Sequence, residues 1–210
     1  MGTATDIASY PHGRVPRQVR ERQVLGLAEE LFAERGYHGA SMDELARRAG
    51  VSKPVIYDLI GSKDQLFEAC VQRVADELAA RVAAAVADEP EPLRKLHAGA
   101  VAFFQFVAAH KQSLDVLFPG DSGPFGPEVA DIRRRQTQFV SMVLAESAAD
   151  MGIDIEAIRI DAAAHALNGA FEALVHWWQD HPEVAPETLA DWLVELVLPG
   201  LERFAEQSGG

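Results

Sequence analysis

Apolar residues recur along this chain every three or four positions, which is the spacing of amphipathic helices. No run alternates polar and apolar residues with the period of two that a half-buried strand requires. The first periodic segment predicts a helix from about Arg17 to Arg35, with Val24, Ala28 and Leu31 on its apolar face. The pattern therefore predicts an all-α fold.

Two short helices are predicted directly after the first. Residues 42–49 follow Ser41, and Glu44 stands three positions beyond that serine, which is the pattern of a capping box. A glycine ends this helix. The next helix opens at Ser52 and runs to Ile60, with a proline in its first turn, where no N–H group is needed.

Longer helices are predicted for the rest of the chain. A second capping pattern, Ser62 with Gln65, opens a helix that extends to about Ala87. Further helices are predicted near 93–110, 112–118, 127–149, 156–181 and 187–206. Residues 119–127 contain six prolines or glycines in nine positions, which predicts a loop and a candidate gate.

Composition is typical of a soluble globular protein. The chain has 210 residues, of which 48% are hydrophobic and 24% are charged, so it can bury a core in one or two domains. No stretch approaches the roughly 20 apolar residues of a membrane span, and the polar N-terminus lacks the apolar segment of a secretory signal. A single cysteine, Cys70, excludes an internal disulfide framework and a cysteine-based zinc site. We expect a cytoplasmic protein with no membrane partner.

Charge is distributed unevenly along the chain. The formal net charge is −13, yet residues 1–65 carry nine basic and nine acidic residues, so the excess acid lies in residues 66–210. Residues 14–22 hold four arginines against one glutamate. Because salt screens exposed charges over about 8–10 Å, a basic edge can bind phosphate while a distant acidic region does not interfere. The asymmetry is typical of a small nucleic-acid-binding domain attached to a larger acidic one.

Residues 41–60 fit a helix-turn-helix. Ala46 is small where two helices must approach closely, Gly50 suits the positive φ of the turn, and Val51 would anchor the turn in the core. The predicted inward positions are Leu45, Ala49, Ile56 and Ile60. This leaves the start of the last helix outward, where a recognition helix meets base edges. A three-helix packing unit without DNA binding is the alternative that the pattern leaves open.

The order and spacing of these residues are more specific than any one of them. Residues 20–67 resemble the DNA-binding domain of the TetR/AcrR family of bacterial transcription regulators. The resemblance rests on three runs: Ala28–Leu31–Phe32–Gly36–Tyr37, Ser41–Glu44–Leu45–Ala46–Ala49–Gly50–Val51–Ser52 and Tyr57–Ser62–Lys63–Leu66. The rest of the chain matches the family only in length and helical character.

The resemblance implies a homodimer whose chains each have a basic arm (1–16), a DNA-binding domain (17–65) and an effector-binding and dimerisation domain (66–210). Such a dimer binds a near-palindromic DNA operator and, as the family's common mode, acts as a repressor that a small effector releases. The DNA-contacting residues that it implies are Ser41, Ser52, Lys53, Pro54, Val55, Tyr57 and Lys63, with Arg14, Arg17 and Arg20 in a flexible arm near the minor groove. An ordinary disordered terminus is the alternative for that arm.

Each implied DNA contact has a chemical reason. Ser41 would face phosphate at a helix N-terminus, and Lys53 would offer a donor to guanine. Val55 would present an apolar surface to a thymine methyl, while Tyr57 and Lys63 would bind phosphates.

One stretch departs from the family. Tyr57-Asp58-Leu59-Ile60 stands where the family commonly has Tyr-x-His-Phe or Tyr-x-Tyr-Phe. Leu59 lacks a phosphate donor and Asp58 adds negative charge, so weaker or redirected DNA binding is expected.

Residues 66–210 hold the candidate dimer and effector surfaces. Small or apolar residues at helical spacing predict helix-packing surfaces on the last two helices. In the family that the chain resembles, these helices form the dimer interface, so the resemblance implies an interface that contains Ala162, Ala166, Ala170, Trp192 and Leu196. An apolar pocket with a few polar groups is predicted from Phe103, Phe104, Phe118, Gln136, Phe139, Met142, His165, Asn168 and Trp177. Packing within one chain is the alternative for both sets. A largely apolar effector is expected.

The sequence gives little support to catalysis or metal binding. His165, Glu172 and His176 lie near one helical stripe, but their spacing is loose and no metal is expected. Cys70 is expected to be a small buried hydrophobe rather than a redox sensor. No nucleophile elbow, phosphate-binding loop or zinc-protease motif is present, and no cofactor is expected. An all-α small-molecule carrier or enzyme without specific DNA binding is the competing hypothesis.

Overall fold

The computed structural model describes residues 15–110 and 126–206, and within these ranges all regular secondary structure is α-helical. The ranges hold eight helices: α1 (Arg17–Gly39), α2 (Met42–Ala49), α3 (Lys53–Ile60), α4 (Lys63–Ala87), α5 (Pro92–Ala109), α6 (Gly126–Asp150), α7 (Ala157–Gln179) and α8 (Pro186–Glu206). The all-α prediction is confirmed. No helix in the described part is both long and apolar enough to cross a membrane.

Most predicted helix ends agree with the observed ones to within a few residues. Gly36 interrupts α1 with φ 65°, close to the predicted end of that helix. Gly126, which the sequence placed only in a loop, begins α6, and Pro127, the predicted first residue of this helix, follows in the first turn, where a helix tolerates proline. The helix predicted near 112–118 and residues 119–125 of the predicted loop lie outside the described residues, as do Arg14 and Phe118.

The chain divides into two compact units. Of the described residues, 15–75 and 126–129 belong to the first unit, and 76–110 and 130–206 belong to the second. Both this division and the predicted domain boundary after residue 65 fall within α4.

The two predicted capping boxes differ in how completely they form. At the start of α4, the N–H of Gln65 donates to Ser62 Oγ at 3.2 Å, and the N–H of Ser62 donates to Gln65 Oε1 at 2.9 Å. At the start of α2, Ser41 Oγ accepts from the N–H of Glu44 at 3.1 Å, which is half of a box. The Glu44 carboxylate turns away because it binds Arg48, at 3.1 Å.

An apolar core holds the helices of the first unit together. Its buried residues include Val24, Ala28, Leu31, Phe32, Leu45, Ala49, Ile56, Leu66, Phe67 and Cys70. The rings of Phe32 and Phe67 meet edge-on, with 5.1 Å between centroids. Two positions predicted to point inward, Val51 and Ile60, are only half-buried.

The second unit is built on contacts of α8 with α5 and α7. Its buried residues include Ala100, Phe104, Phe106, Val107, Leu167, Val175, Trp178, Leu189 and Leu193. Polar contacts at the edge join α5 to α8: Gln105 Nε2 donates to Glu187 Oε1 at 2.7 Å, and His97 Nε2 lies 2.8 Å from Asp191 Oδ1.

Candidate DNA-binding surface

A tight turn centred on Gly50 joins α2 to α3. Gly50 has φ 66° and ψ 31°, in the left-handed region, and the next N–H, that of Val51, donates to the Ala46 carbonyl at 3.0 Å. Leu45 and Ile56, on either side of the turn, are fully buried at 0% exposure. Left-handed backbone costs an ordinary residue about 1–2 kcal/mol, so the turn favours glycine. These are the geometry and buried face of a helix-turn-helix.

The outer face of α3 presents a short row of exposed side chains. Val55 is 39% exposed and Tyr57 is 45% exposed. Lys53 and Pro54 are exposed beside them, and Ser52 precedes the helix without using its side chain as a cap. A lysine donor, an apolar valine and a phenol at the start of a helix suit the reading of base edges and phosphates.

Lys53 lies in an ion pair that was not predicted from the sequence. Its Nζ is 3.0 Å from Oδ2 of Asp43, in the first turn of α2. This hydrogen bond raises the pKa of Lys53 above its usual value. Since an ammonium has three N–H donors, the pair orients Lys53 and leaves donors for a base.

Arg17 contacts the other end of α3. Its Nη1 donates to Asp58 Oδ2 at 3.1 Å, and its Nη2 donates to the carbonyls of Asp58 at 2.7 Å and Leu59 at 3.3 Å. Arg17 and Arg20 both lie within α1, so the prediction that they belong to a flexible arm is wrong. No sequence signal joined Arg17 to Asp58, because the two residues are far apart in the chain.

Two further phosphate candidates lie at helix starts. Ser41, before α2, is exposed. Lys63, at the start of α4, is half-buried with its Nζ 4.5 Å from the ring centroid of Tyr37. The Tyr37 hydroxyl donates to Asp64, and burial first, then this bond, raise the pKa of Tyr37 to about 12. The electron-rich face of this ring attracts the Lys63 ammonium.

A network of ion pairs that joins α1 to α2 was also not predicted from the sequence. Arg48 binds both carboxylate oxygens of Glu34, at 3.0 and 2.6 Å, and its Nε donates to Glu44 at 3.1 Å. Hydrogen bonds from Arg48 hold the pKa of both carboxyls below their usual value. The spacing of four residues between Glu44 and Arg48 could have indicated half of this arrangement.

Comparison with known proteins identifies the family. Residues 24–70 match the family of bacterial regulatory proteins, tetR family, and residues 92–200 match the tetracyclin repressor-like C-terminal domain. The transcriptional activator FasR of Mycolicibacterium smegmatis is 34% identical over 165 residues, which are 74% of this chain and 75% of FasR. The chain belongs to the TetR family of bacterial transcriptional regulators.

Solved structures share the fold. A TetR-like regulator from Rhodococcus sp. RHA1 is 34% identical with a TM-score of 0.70, over 90% of this chain and 99% of that one. FadR from Bacillus subtilis, solved with stearoyl-CoA, is 18% identical with a TM-score of 0.73, over 84% and 96% of the two chains. The predicted family, the fold class and the function as a DNA-binding transcriptional regulator are confirmed.

Two predicted effector-site residues lie in one aromatic cluster of the second unit. The rings of Phe103 and Phe104 are 5.2 Å apart, and they lie 4.7 and 5.6 Å from the ring of Phe171. The ring centroid of Phe104 also lies 6.2 Å from that of Trp178, which is buried. Phe171 was not predicted from the sequence, although it follows Asn168 by three residues on α7, a spacing that shares a helix face.

The other predicted effector-site residues that the structure describes are either half-buried or exposed. Asn168 Nδ2 donates to Thr137 Oγ1 at 3.0 Å, and this hydroxyl donates to the Arg133 carbonyl at 3.0 Å. Gln136 and Phe139 are half-buried on α6. Three further candidates are exposed in the single chain: Met142, His165 and Trp177. The effector roles of all these residues stay predictions.

The candidate dimer surface carries large exposed apolar side chains. Leu196 is 80% exposed and Trp192 is 49% exposed on α8. Ala162 and Ala166 are exposed on α7, whereas Ala170 is half-buried. Ile158, which was not among the predicted interface residues, is 70% exposed near the start of α7.

The histidines of α7 make local hydrogen bonds. Nδ1 of His165 and Nδ1 of His176 each donate to the carbonyl four residues earlier, at 2.8 Å. Arg133 Nε lies 3.4 Å from Oε1 of Glu172. In the part of the chain that the structure describes, no group of three potential ligands could hold a metal ion.

Cys70 is expected to react with iodoacetamide only when the first unit opens. Its side chain is 0% exposed, its thiol lies 3.8 Å from the Leu25 carbonyl, and burial raises the thiol pKa. Because the thiolate is the nucleophile and opening costs several kcal/mol, alkylation at pH 8 should be at least ~1,000-fold slower in buffer than in denaturant. Mass spectrometry would follow the reaction, with Cys70→Ser as the unlabelled control. Equal rates would instead favour the redox-sensor hypothesis.

Proposed function

We propose that this regulator binds a near-palindromic operator as a homodimer and is released by a small, largely apolar effector, which makes it a repressor. The observation that carries the proposal is the exposed start of α3, where Lys53, Val55 and Tyr57 stand beside a left-handed glycine turn. Recognition helices present their N-terminal residues to the major groove in this way.

Symmetry and surface chemistry support a dimer. Two recognition helices read a palindromic site only if a twofold axis relates the two chains. Trp192 and Leu196 offer apolar area on α8, and the alanines at 162 and 166 would let a partner helix approach α7 closely. We place the twofold contact on these faces of α7 and α8.

An acyl-CoA is the effector class to test first, because its acyl chain is apolar although its CoA group is charged. FadR, which shares the fold, was solved with stearoyl-CoA. The aromatic cluster around Phe104 and the small number of half-buried polar groups suit a long apolar chain. Such an effector lowers operator occupancy only by its preference for the form that does not bind DNA.

Selection of random duplex DNA by the purified protein at near-physiological salt tests the proposal. The protein is first unfolded and refolded, so that a co-purified ligand cannot hide DNA binding. Recovery of an inverted repeat, lost on addition of an acyl-CoA, would support the proposal. If no motif is recovered and DNA binding disappears at modest salt, the proposal is overturned in favour of the carrier hypothesis. A promoter fusion then separates repression from the activation indicated by the name of FasR.

Substitutions on this surface should fall into two groups. Tyr57→Phe and Lys63→Ala are expected to weaken binding to all sequences alike, and Lys63→Ala should also reduce the salt dependence by about 0.9 in log–log slope. Lys53→Ala should change the ranking of operator variants, because it removes a base contact worth about 1–3 kcal/mol. Lys95→Ala is the matched control, since Lys95 binds Asp150 in the second unit. An unchanged ranking for Lys53→Ala would remove Lys53 from base recognition.

A further inference from the structure

Arg17 commits most of its hydrogen-bonding capacity to protein groups. Nε donates to Glu21 at 2.8 Å, Nη1 to the Asp58 carboxylate at 3.1 Å, and Nη2 to two carbonyls at the end of α3, at 2.7 and 3.3 Å. A guanidinium has five N–H donors, and these contacts use four of them. One N–H of Nη1 remains, so a phosphate could bind Arg17 in a bidentate way only by replacing bonds that hold α3.

The end of α3 has a particular need for such a partner. The last carbonyls of a helix have no partner within it, and a negative side chain there is unfavourable to the helix dipole. Asp58 lies in this turn with its side chain 77% exposed, directly after the proposed phosphate contact Tyr57. Its charge alone would repel DNA, and Arg17 supplies the compensating positive charge.

Few buried side chains fix the orientation of the recognition helix. It is eight residues long, Ile56 is its one buried residue, and Leu59 and Ile60 in its last turn are half-buried. The bonds from Arg17 tie its last turn to the first turn of α1, while the ion pair from Asp43 holds Lys53 at the other end.

We propose that Arg17 is a positioning residue for the recognition helix: it neutralises Asp58, holds the last turn of α3 against α1, and makes no phosphate contact. This replaces the DNA-arm role expected from the sequence, and it rests on the operator binding proposed above. It also accounts for the acidic residue at position 58, because Arg17 and Asp58 act together.

The test compares Arg17→Gln, Asp58→Asn and the double variant with the intact chain. The probes are the inverted repeat recovered from random duplex DNA and a scrambled duplex of equal length, each titrated over a salt series. Arg22→Gln, at an exposed arginine of the same helix, is the matched charge control. Melting temperature and hydrogen exchange of the Gly61 amide, which donates to the Tyr57 carbonyl at 2.9 Å, are measured without DNA.

For a positioning residue, Arg17→Gln should weaken binding to the inverted repeat by about tenfold, the effect of losing hydrogen bonds to a charged group. Binding to the scrambled duplex and the salt slope should match those of Arg22→Gln. Asp58→Asn should restore at least part of the loss in the double variant. Gly61 exchange should accelerate in both variants that carry Arg17→Gln, because both lack the bonds to the Asp58 and Leu59 carbonyls, and not in Arg22→Gln.

Three results would overturn the inference. A slope lower by about 0.9 than that of Arg22→Gln, with equal losses on both duplexes and no rescue, would make Arg17 a phosphate contact. A fall in melting temperature of more than about 4 °C with equal losses on both duplexes would make its role one of general stability. Unchanged Gly61 exchange would overturn it without reference to DNA, so this readout stands even if no inverted repeat is recovered and the proposed function fails.

Discussion

Leu196→Glu is expected to convert the proposed dimer to a monomer and to weaken operator binding at least about 100-fold. Leu196 is 80% exposed in the single chain, and a twofold interface would contain it twice. Burying each leucine is worth roughly 1.5–3 kcal/mol, and a carboxylate in its place adds a desolvation cost. Sedimentation velocity would measure the oligomeric state, and titration of the recovered inverted repeat would measure binding.

Met151→Glu provides the matched control for that experiment. Met151 is 40% exposed after the end of α6, so the substitution introduces the same charge at another exposed apolar residue of the second unit. We expect it to leave the dimer and its DNA binding unchanged. If Leu196→Glu stays dimeric, the proposed contact through α7 and α8 is wrong.

Gly50→Val is expected to destabilise the first unit by about 2 kcal/mol or more and to remove specific DNA binding. A Cβ at Gly50 meets no atom within 4 Å, so the cost arises from the backbone and not from a clash. With φ at 66°, alanine should cost about 1–2 kcal/mol, valine more because it is β-branched, and asparagine less. Relief of this strain would rotate α3 away from α2, which separates the recognition helix from its support.

Gly169→Ala is the control for the turn glycine. A Cβ there also meets nothing within 4 Å, but Gly169 lies inside α7, where alanine should stabilise the helix by roughly 0.5–1 kcal/mol. Urea denaturation of both alanine variants gives the comparison. If Gly50→Ala changes the free energy of unfolding in the same way as Gly169→Ala, the turn does not depend on left-handed backbone.

Features that depend on neighbouring residues were predictable from the sequence. The positive φ of Gly50, the capping box of Ser62 and Gln65, and the proline at the start of α3 all arise from local backbone chemistry. The exposure of Lys53, Val55 and Tyr57 followed from the helical period alone. These signals determine most helix ends and the outward face of α3.

Contacts between distant residues were not predictable in the same way. Arg17 and Asp58 belong to different helices, and nothing in either local sequence indicates that the two will meet. Lys53 with Asp43, and Arg48 with Glu34, depend similarly on the packing of short helices. In the second unit, aromatic content indicated a cluster but not its members, so Phe171 was missed while the exposed Trp177 was included.

The capping box at the start of α4 couples the substitutions that positions 61 and 65 tolerate. A Cβ at Gly61, where φ is 92°, would stand 2.1 Å from Gln65 Oε1 and 3.0 Å from its Cδ. Any side chain at position 61 would therefore displace Gln65 and release the N–H of Ser62. Substitutions at 61 and 65 should consequently show epistasis, in which a change at 65 removes the clash but not the cost of the positive φ at 61. The sequence of the short connection between α3 and α4 would then change more slowly in evolution than its exposure alone suggests.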